Sequence, residues 1–305
     1  MTTRSGSITR IRYDETLYSM MARASRYLGS PRPSLLHEAL FDSAIPVFDD
    51  LPVSLKQIVD AGVFGPAILD DAVHEWTLFP YYSHYVSTAR ARATAIAMAG
   101  VGRWPHEVLG SWTDSAEPPA NLRFCLECRE DMLEQFPDLW WRRAHQLPSA
   151  LVCPDHGEPL RQTNVGRDER RGKYVPAKLD ICHSKAPPVR DRLEPGVMAF
   201  LVVLARMSDG LLDRQCDTHP DDRREAYLVR LNRLGLLNRA GEAKLPAVAV
   251  ALDQYWGETL ALWPRLTVNG RCAQKWLGSL LWGEHCSPPL HHLLLEGMLV
   301  ARLGP

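Results

Sequence analysis

Two short spacings carry the clearest chemistry in this 305-residue chain: Cys125-x2-Cys128 and, further on, Cys153-x2-His156. Two cysteines three positions apart can turn both sulfurs toward one ion while nearby amides donate to the thiolates. A second half-site brought alongside completes a tetrahedron of soft ligands suited to one Zn²⁺. The second half reads Val152-Cys153-Pro154-Asp155-His156-Gly157, a zinc-knuckle pattern. Its proline fixes one φ angle and its glycine is free to take φ > 0. Four protein ligands close the coordination sphere, so the metal is expected to be structural.

Other candidate chemistry is weaker. Cys182-His183 and Cys216-x2-His219 offer ligands for a second Zn²⁺, but adjacent ligands are poorly arranged for one ion and the pairs lie far apart. His145 lies away from either knuckle and reads as a packed or surface histidine. Cys272 and Cys286 have no spaced partners and read as core thiols. Gly166…Gly172-Lys173-Tyr174 has neither the spacing of a phosphate loop nor a Ser/Thr after its lysine, which excludes a nucleotide site there. The pairs Asp49-Asp50, Asp70-Asp71 and Asp221-Asp222 sit at expected helix starts or turns, without the strands that frame a two-metal nuclease. A hydrolytic zinc needs an open position that four protein ligands would fill. No enzymatic activity is expected.

The elements that must position these residues are mostly helical. Hydrophobic content is 46%, charged content 23% and formal net charge −1, as in an ordinary soluble protein without a global basic excess. Seven cysteines, an odd number, argue against a disulfide framework and for the reducing cytoplasm. The polar Met1-Thr2-Thr3-Arg4-Ser5-Gly6 lacks the apolar core of a signal peptide. The apolar run Val197–Ala205 is too short to span a bilayer, so no membrane association is expected. The length suits roughly two or three domains.

A helical N-terminal domain is expected over 1–115. Asp14 is its candidate first N-cap, with Glu15 in the first turn and Leu17, Met20, Met21, Ala24 and Leu28 on one face. Ser34 and Ser54 are candidate caps of two short helices. Trp76–Ser83 is an aromatic turn read as interhelical packing, leading into a helix that carries Arg90 and Arg92 and ends near Gly100. A polar, proline-bearing stretch then marks a boundary, and a zinc-binding module follows over 116–192. Between its half-sites, Trp140 and Trp141 are expected to pack over the metal. After them, 161–195 carries nine Lys/Arg against five Asp/Glu, the most basic stretch of the chain. A helical C-terminal domain over 193–305 completes the order. Both helical domains are compatible with helix-turn-helix character.

Several segments together resemble the TniQ/TnsD family of transposon target-selection proteins. Asp14-Glu15-Thr16-Leu17-Tyr18-Ser19-Met20-Met21-Ala22-Arg23 resembles its opening "ESLYSWLAR" helix, and Thr77-Leu78-Phe79-Pro80-Tyr81-Tyr82 its "HTLFPYY" element. The fullest resemblance runs from Arg123-Phe124-Cys125-Leu126-Glu127-Cys128 through Trp141–Pro148 to Val152–Gly157, against "RFCPxC…YWRRxHQLP…VCPxHG". Pro289–Leu295 resembles "HPLRHLLL". Met20 stands where the family often has Trp, and Leu126 where Pro is usual.

The resemblance implies a mainly α fold with helix-turn-helix character at both ends of a zinc-ribbon or zinc-finger core. It also implies a non-enzymatic adaptor that marks an insertion site and recruits a TnsC-type AAA+ ATPase. Little sequence follows the "HLLL" segment, which leaves two readings: a short TniQ that docks, often as a homodimer, on a guide-RNA Cascade complex, or a shortened TnsD that reads DNA directly. A zinc-containing transcription regulator is a third reading. Phosphate contacts in these readings would come from Arg90, Arg92, Arg167, Arg170, Arg171, Lys173, Lys178, Arg223, Arg224 and Arg230.

Overall fold

The computed structural model describes residues 11–29, 34–41, 50–100, 103–110, 118–170, 173–213, 219–282 and 287–304. The expectations for Arg171, Cys216 and Cys286, and for a boundary near 115, fall outside them. Seven helices come first: α1 (Leu17–Tyr27), α2 (Leu35–Leu40), α3 (Leu55–Asp60), α4 (Leu69–Glu75), α5 (Phe79–Ser83), α6 (Thr88–Ala99) and α7 (Pro105–Leu109). The middle of the chain carries β1 (Asn121–Phe124), α8 (Leu126–Gln135), β2 (Arg161–Gly166) and α9 (Arg167–Arg170). Helices α10 (Pro195–Asp209), α11 (Pro220–Arg233) and α12 (Leu245–Trp256) follow. Then come a hairpin of β3 (Thr267–Val268) and β4 (Arg271–Cys272), α13 (Gln274–Trp282) and α14 (Pro289–Leu303). No helix among the described residues is long and apolar enough to cross a membrane.

The mainly helical fold is therefore as expected, with small differences at helix starts. The N-cap of α1 is Thr16, whose hydroxyl accepts from Ser19 N at 3.1 Å, and not Asp14. Asp14 adopts φ 55° and gives its carboxylate to Arg142 Nε, 2.9 Å away, and to the Ala144 amide. A guanidinium made available by the fold outcompetes the local cap. Glu15 likewise pairs with buried Arg23 at 2.9 Å. Ser34 and Ser54 do precede α2 and α3, but neither makes a side-chain cap bond. Leu17, Met20, Met21 and Ala24 are buried, while Leu28, at the helix end, is exposed. Helix α6 is capped by the Ser87 hydroxyl and ends at Gly100.

Strands β1 and β2 pair antiparallel, with a register shift between Asn121 and Arg123. The segment after them returns to this ribbon, for Gln162 N donates to Pro187 O and Val189 N to Leu160 O. Between α11 and α12, residues 234–244 form a small closed loop with a bridge between Leu237 and Ala243. That link is longer than the three- or four-residue turn of a helix-turn-helix.

The apolar core is continuous across the three expected domains. The aromatic turn lies inside it: Trp76, Phe79, Tyr81 and Tyr82 are all buried. Three hydroxyls run through the middle, with Tyr81 Oη 3.0 Å from Ser149 Oγ and that oxygen 2.7 Å from Ser208 Oγ. They join one residue from each expected domain.

Candidate metal centre

The first half-site is built at the junction of β1 and α8. Cys125 is the N-cap residue of α8 and Cys128 lies in its first turn, so the amides of Glu127 and Cys128 reach the Cys125 sulfur. The second half-site is a tight turn. Gly157 N donates to Cys153 O at 2.9 Å, and Cys153 N to Glu158 O at 2.8 Å. Gly157 takes φ 72°, as the knuckle requires. Helix α10 braces the turn through Arg206 Nε, 3.0 Å from Pro154 O.

Tertiary structure brings the halves together. One ligand atom from each of Cys125, Cys128, Cys153 and His156 lies within 4.8 Å of every other, and the three cysteines are buried. Cys128 Sγ is 3.5 Å from Cys153 Sγ, and His156 Nδ1 is 3.7, 3.3 and 3.6 Å from the sulfurs of Cys125, Cys128 and Cys153. A tetrahedral zinc with sulfur ligands at about 2.3 Å places them about 3.8 Å apart. The cluster can therefore hold a tetrahedral metal ion, with His156 offering Nδ1. Its other nitrogen, Nε2, lies 3.2 Å from Asp131 Oδ2, the carboxylate partner that fixes tautomer and ring orientation in such ligands.

The surroundings favour thiolates. Contacts with Cys128 and Cys153 hold the Cys125 thiol down at about 3. At Cys153 the contact with Cys125 pushes the other way, and hydrogen bonds with Cys128 and His145 outweigh it, leaving about 7. At Cys128 the two sulfur neighbours, Cys125 and Cys153, push the thiol up. Binding of a divalent ion requires the thiolates and displaces their protons. Arg142 Nη1 donates to Cys128 Sγ at 3.0 Å and to Asp155 Oδ2 at 2.5 Å, placing a fixed cation beside the sulfurs. Phe124, Met132, Leu139 and Trp140 wall the cluster on one side. Trp141 instead turns away, its Nε1 donating to Val175 O at 2.8 Å.

Of the two sequence readings of His145, packed or surface, the structure shows the packed one, and it packs against the metal cluster. It is buried, with Nε2 3.7 Å from Cys128 Sγ and 3.6 Å from Cys153 Sγ. For the second candidate site, Cys182 is buried while neighbouring His183 is exposed, and His219 Nδ1 accepts from Asp221 N in capping α11. Among the described residues no second metal-ligand group is assembled. Cys272 is a buried core thiol.

The basic candidates fall into three groups. Arg92, Arg167 and Lys178 are exposed. Arg90, Lys173, Arg224 and Arg230 are half-buried; Arg90 donates to Leu109 O, Arg230 to Gly304 O, and Arg224 pairs with Asp221 at 2.8 Å. Arg170 and Arg223 are buried, donating to Ala120 O and His84 O respectively. In this conformation those two guanidinium groups bind the chain's own carbonyls and do not reach an external phosphate.

Comparison with known proteins bears on the same region. The family model described as TniQ matches residues 8–160, an interval that holds α1, the aromatic turn and all four ligands. The Transposon Tn7 transposition protein TnsD of Escherichia coli is 28% identical over 147 residues, covering 47% of this chain and 29% of that protein. The chain thus matches less than a third of that relative's length.

Proposed function

Because this chain belongs to the TniQ family, we propose that it is a non-enzymatic target selector for a Tn7-type transposon. In this reading it is a cytoplasmic adaptor that links a target to a TnsC-type AAA+ ATPase and so directs insertion. The observation that carries the reading is the position of the closed Cys125, Cys128, Cys153 and His156 cluster within the matched interval. The cluster's ion is Zn²⁺, because three thiolates and one imidazole in tetrahedral reach are a zinc set. With no ligand position left over, that zinc pins the fold.

Phosphate contacts in this reading fall to the accessible Arg92, Arg167 and Lys178, with Arg90, Lys173, Arg224 and Arg230 at the margins and Arg171 as a further candidate. The target is a guide-RNA Cascade complex, on which the protein sits as a homodimer, or duplex DNA read directly. The relationship to TnsD supports the direct mode as the second reading.

The test is an affinity pull-down of the protein expressed with its native neighbouring genes, identifying bound protein and nucleic acid. Co-recovery of a guide-RNA complex selects the first mode. Duplex DNA and the ATPase without guide RNA select the second. Recovery of neither the ATPase nor nucleic acid overturns the reading, and metal-dependent cleavage of DNA by the pure protein overturns its non-enzymatic part.

A further inference from the structure

The four ligands leave one buried group beside the metal cluster without a task. His145 Nε2 stands 3.7 Å from Cys128 Sγ and 3.6 Å from Cys153 Sγ, and these sulfurs are 3.5 Å apart. The ring nitrogen therefore straddles one edge of the ligand tetrahedron. His145 is not among the four groups whose ligand atoms are all mutually close, so it faces the edge from outside.

The segment that carries the ring is anchored on both sides of it. That segment is the one-turn 3₁₀ helix Ala144–Gln146. Ala144 N donates to the Asp14 carboxylate, and Gln146 Nε2 donates to Arg123 O and Arg142 O. In the tautomer with its hydrogen on Nε2, the ring donates to both sulfurs. Three thiolates around a divalent ion leave one net negative charge, and Arg142 meets part of it at Cys128. Cys153 Sγ meets two side-chain nitrogens, Nδ1 of the ligand His156 and Nε2 of His145, each at 3.6 Å.

We propose that His145 is a positioning residue of the metal centre, donating one shared N–H to the Cys128 and Cys153 thiolates and thereby slowing the loss of metal. This rests on the zinc reading above. A sulfur that receives an N–H donor is a poorer base and a weaker donor of charge to the metal, so both metal exchange and ligand-to-metal spectra report it.

The experiment compares the wild-type chain, His145→Phe and His145→Gln, each loaded with Zn²⁺ or Co²⁺. Phe keeps the ring's bulk without the N–H, and Gln places an amide N–H near the position of Nε2. For His145→Phe, Zn²⁺ transfer to a chromogenic chelator is expected about tenfold faster, the lower end of the range for outer partners of metal ligands. Its thiolate-to-Co²⁺ charge-transfer band should also move to lower energy. His145→Gln should restore both properties toward wild type, which a purely space-filling role would not do.

Equal exchange rates and bands in wild type and His145→Phe would overturn the proposal. So would two variants that are equally fast, since packing or direct ligation by His145 would then explain the residue. If His145→Phe fails to fold, a wild-type-like band and rate in His145→Gln still supports donation, and a shifted band there refutes it. Wild-type protein that takes up no metal would overturn the zinc reading itself, a result distinct from equal exchange in loaded protein.

Discussion

At the scale of single residues, the metal cluster depends on Cys125, Cys128, Cys153 and His156. Cys125→Ser or Cys153→Ser is expected to release the metal and, because metal binding is coupled to folding, to abolish the cooperative thermal transition. Metal analysis alongside a melting curve checks this, and a metal-free variant that melts like wild type would contradict it. Gly157 is a second sensitive residue. It sits at φ 72°, and a methyl group there would meet Val202 Cγ2 at 3.2 Å. Gly157→Ala should cost roughly 1–2 kcal/mol from the left-handed backbone alone, read as a lowered urea midpoint. Val202→Ala would relieve the contact but not the backbone cost, so the double variant should recover only part of the loss.

At the scale of elements, α12 and α14 approach closely at Gly297. Trp256 is buried against α14, its Nε1 donating to Leu294 O at 2.8 Å. A Cβ on Gly297 would lie 2.7 Å from Trp256 Cζ2. The indole is held by its hydrogen bond and cannot swing away, so Gly297→Ala should destabilise by about 1–3 kcal/mol. Wild-type stability in that variant would mean the two helices slide apart at little cost. The hydroxyl thread invites a smaller test. Tyr81→Phe removes one end while Ser149 and Ser208 keep their bond, and the expected loss is about 1 kcal/mol.

At the scale of the whole molecule, α14 joins the C-terminal helices to Tyr85, just past the aromatic turn, through polar groups. His292 stacks on Tyr85 at 4.0 Å, and Glu296 accepts from the hydroxyls of Tyr85 and Tyr227 at 2.8 and 2.5 Å. Burial pushes His291 down to about 3, and burial together with the Arg223 charge holds His292 well below its ordinary value. Both are neutral in the folded protein, whereas the unfolded chain takes up protons near 6.5. Their contribution to stability is therefore complete above about pH 6.5 and is lost as the pH falls toward 3, at about 1.4 kcal/mol per pH unit for each histidine. Urea midpoints between pH 7 and 4 should fall steeply, and His291→Gln should flatten that slope. The difference between the two proteins separates this effect from proton uptake at the metal cluster, which they share. Parallel slopes would assign the acid sensitivity to other groups.

Much of this was legible in the amino-acid sequence because it rests on short-range rules. Ligand spacing in a knuckle, a glycine at its turn, helical periodicity in Leu17–Ala24 and a stop at Gly100 all follow from a few neighbouring residues. The two half-sites were likewise visible as a set, because soft ligands in such paired spacings point to one metal ion. The use made of each charge was not legible. Asp14 looked like a helix cap and became the partner of Arg142; Arg170 and Arg223 looked like surface cations and are buried on carbonyls. His145 looked incidental and lies against two sulfurs. A local motif needs only the conformations of its own few residues, so the sequence determines it directly. The partner of a buried charge is set by whichever distant group the folded chain brings within reach, and only the tertiary structure decides that.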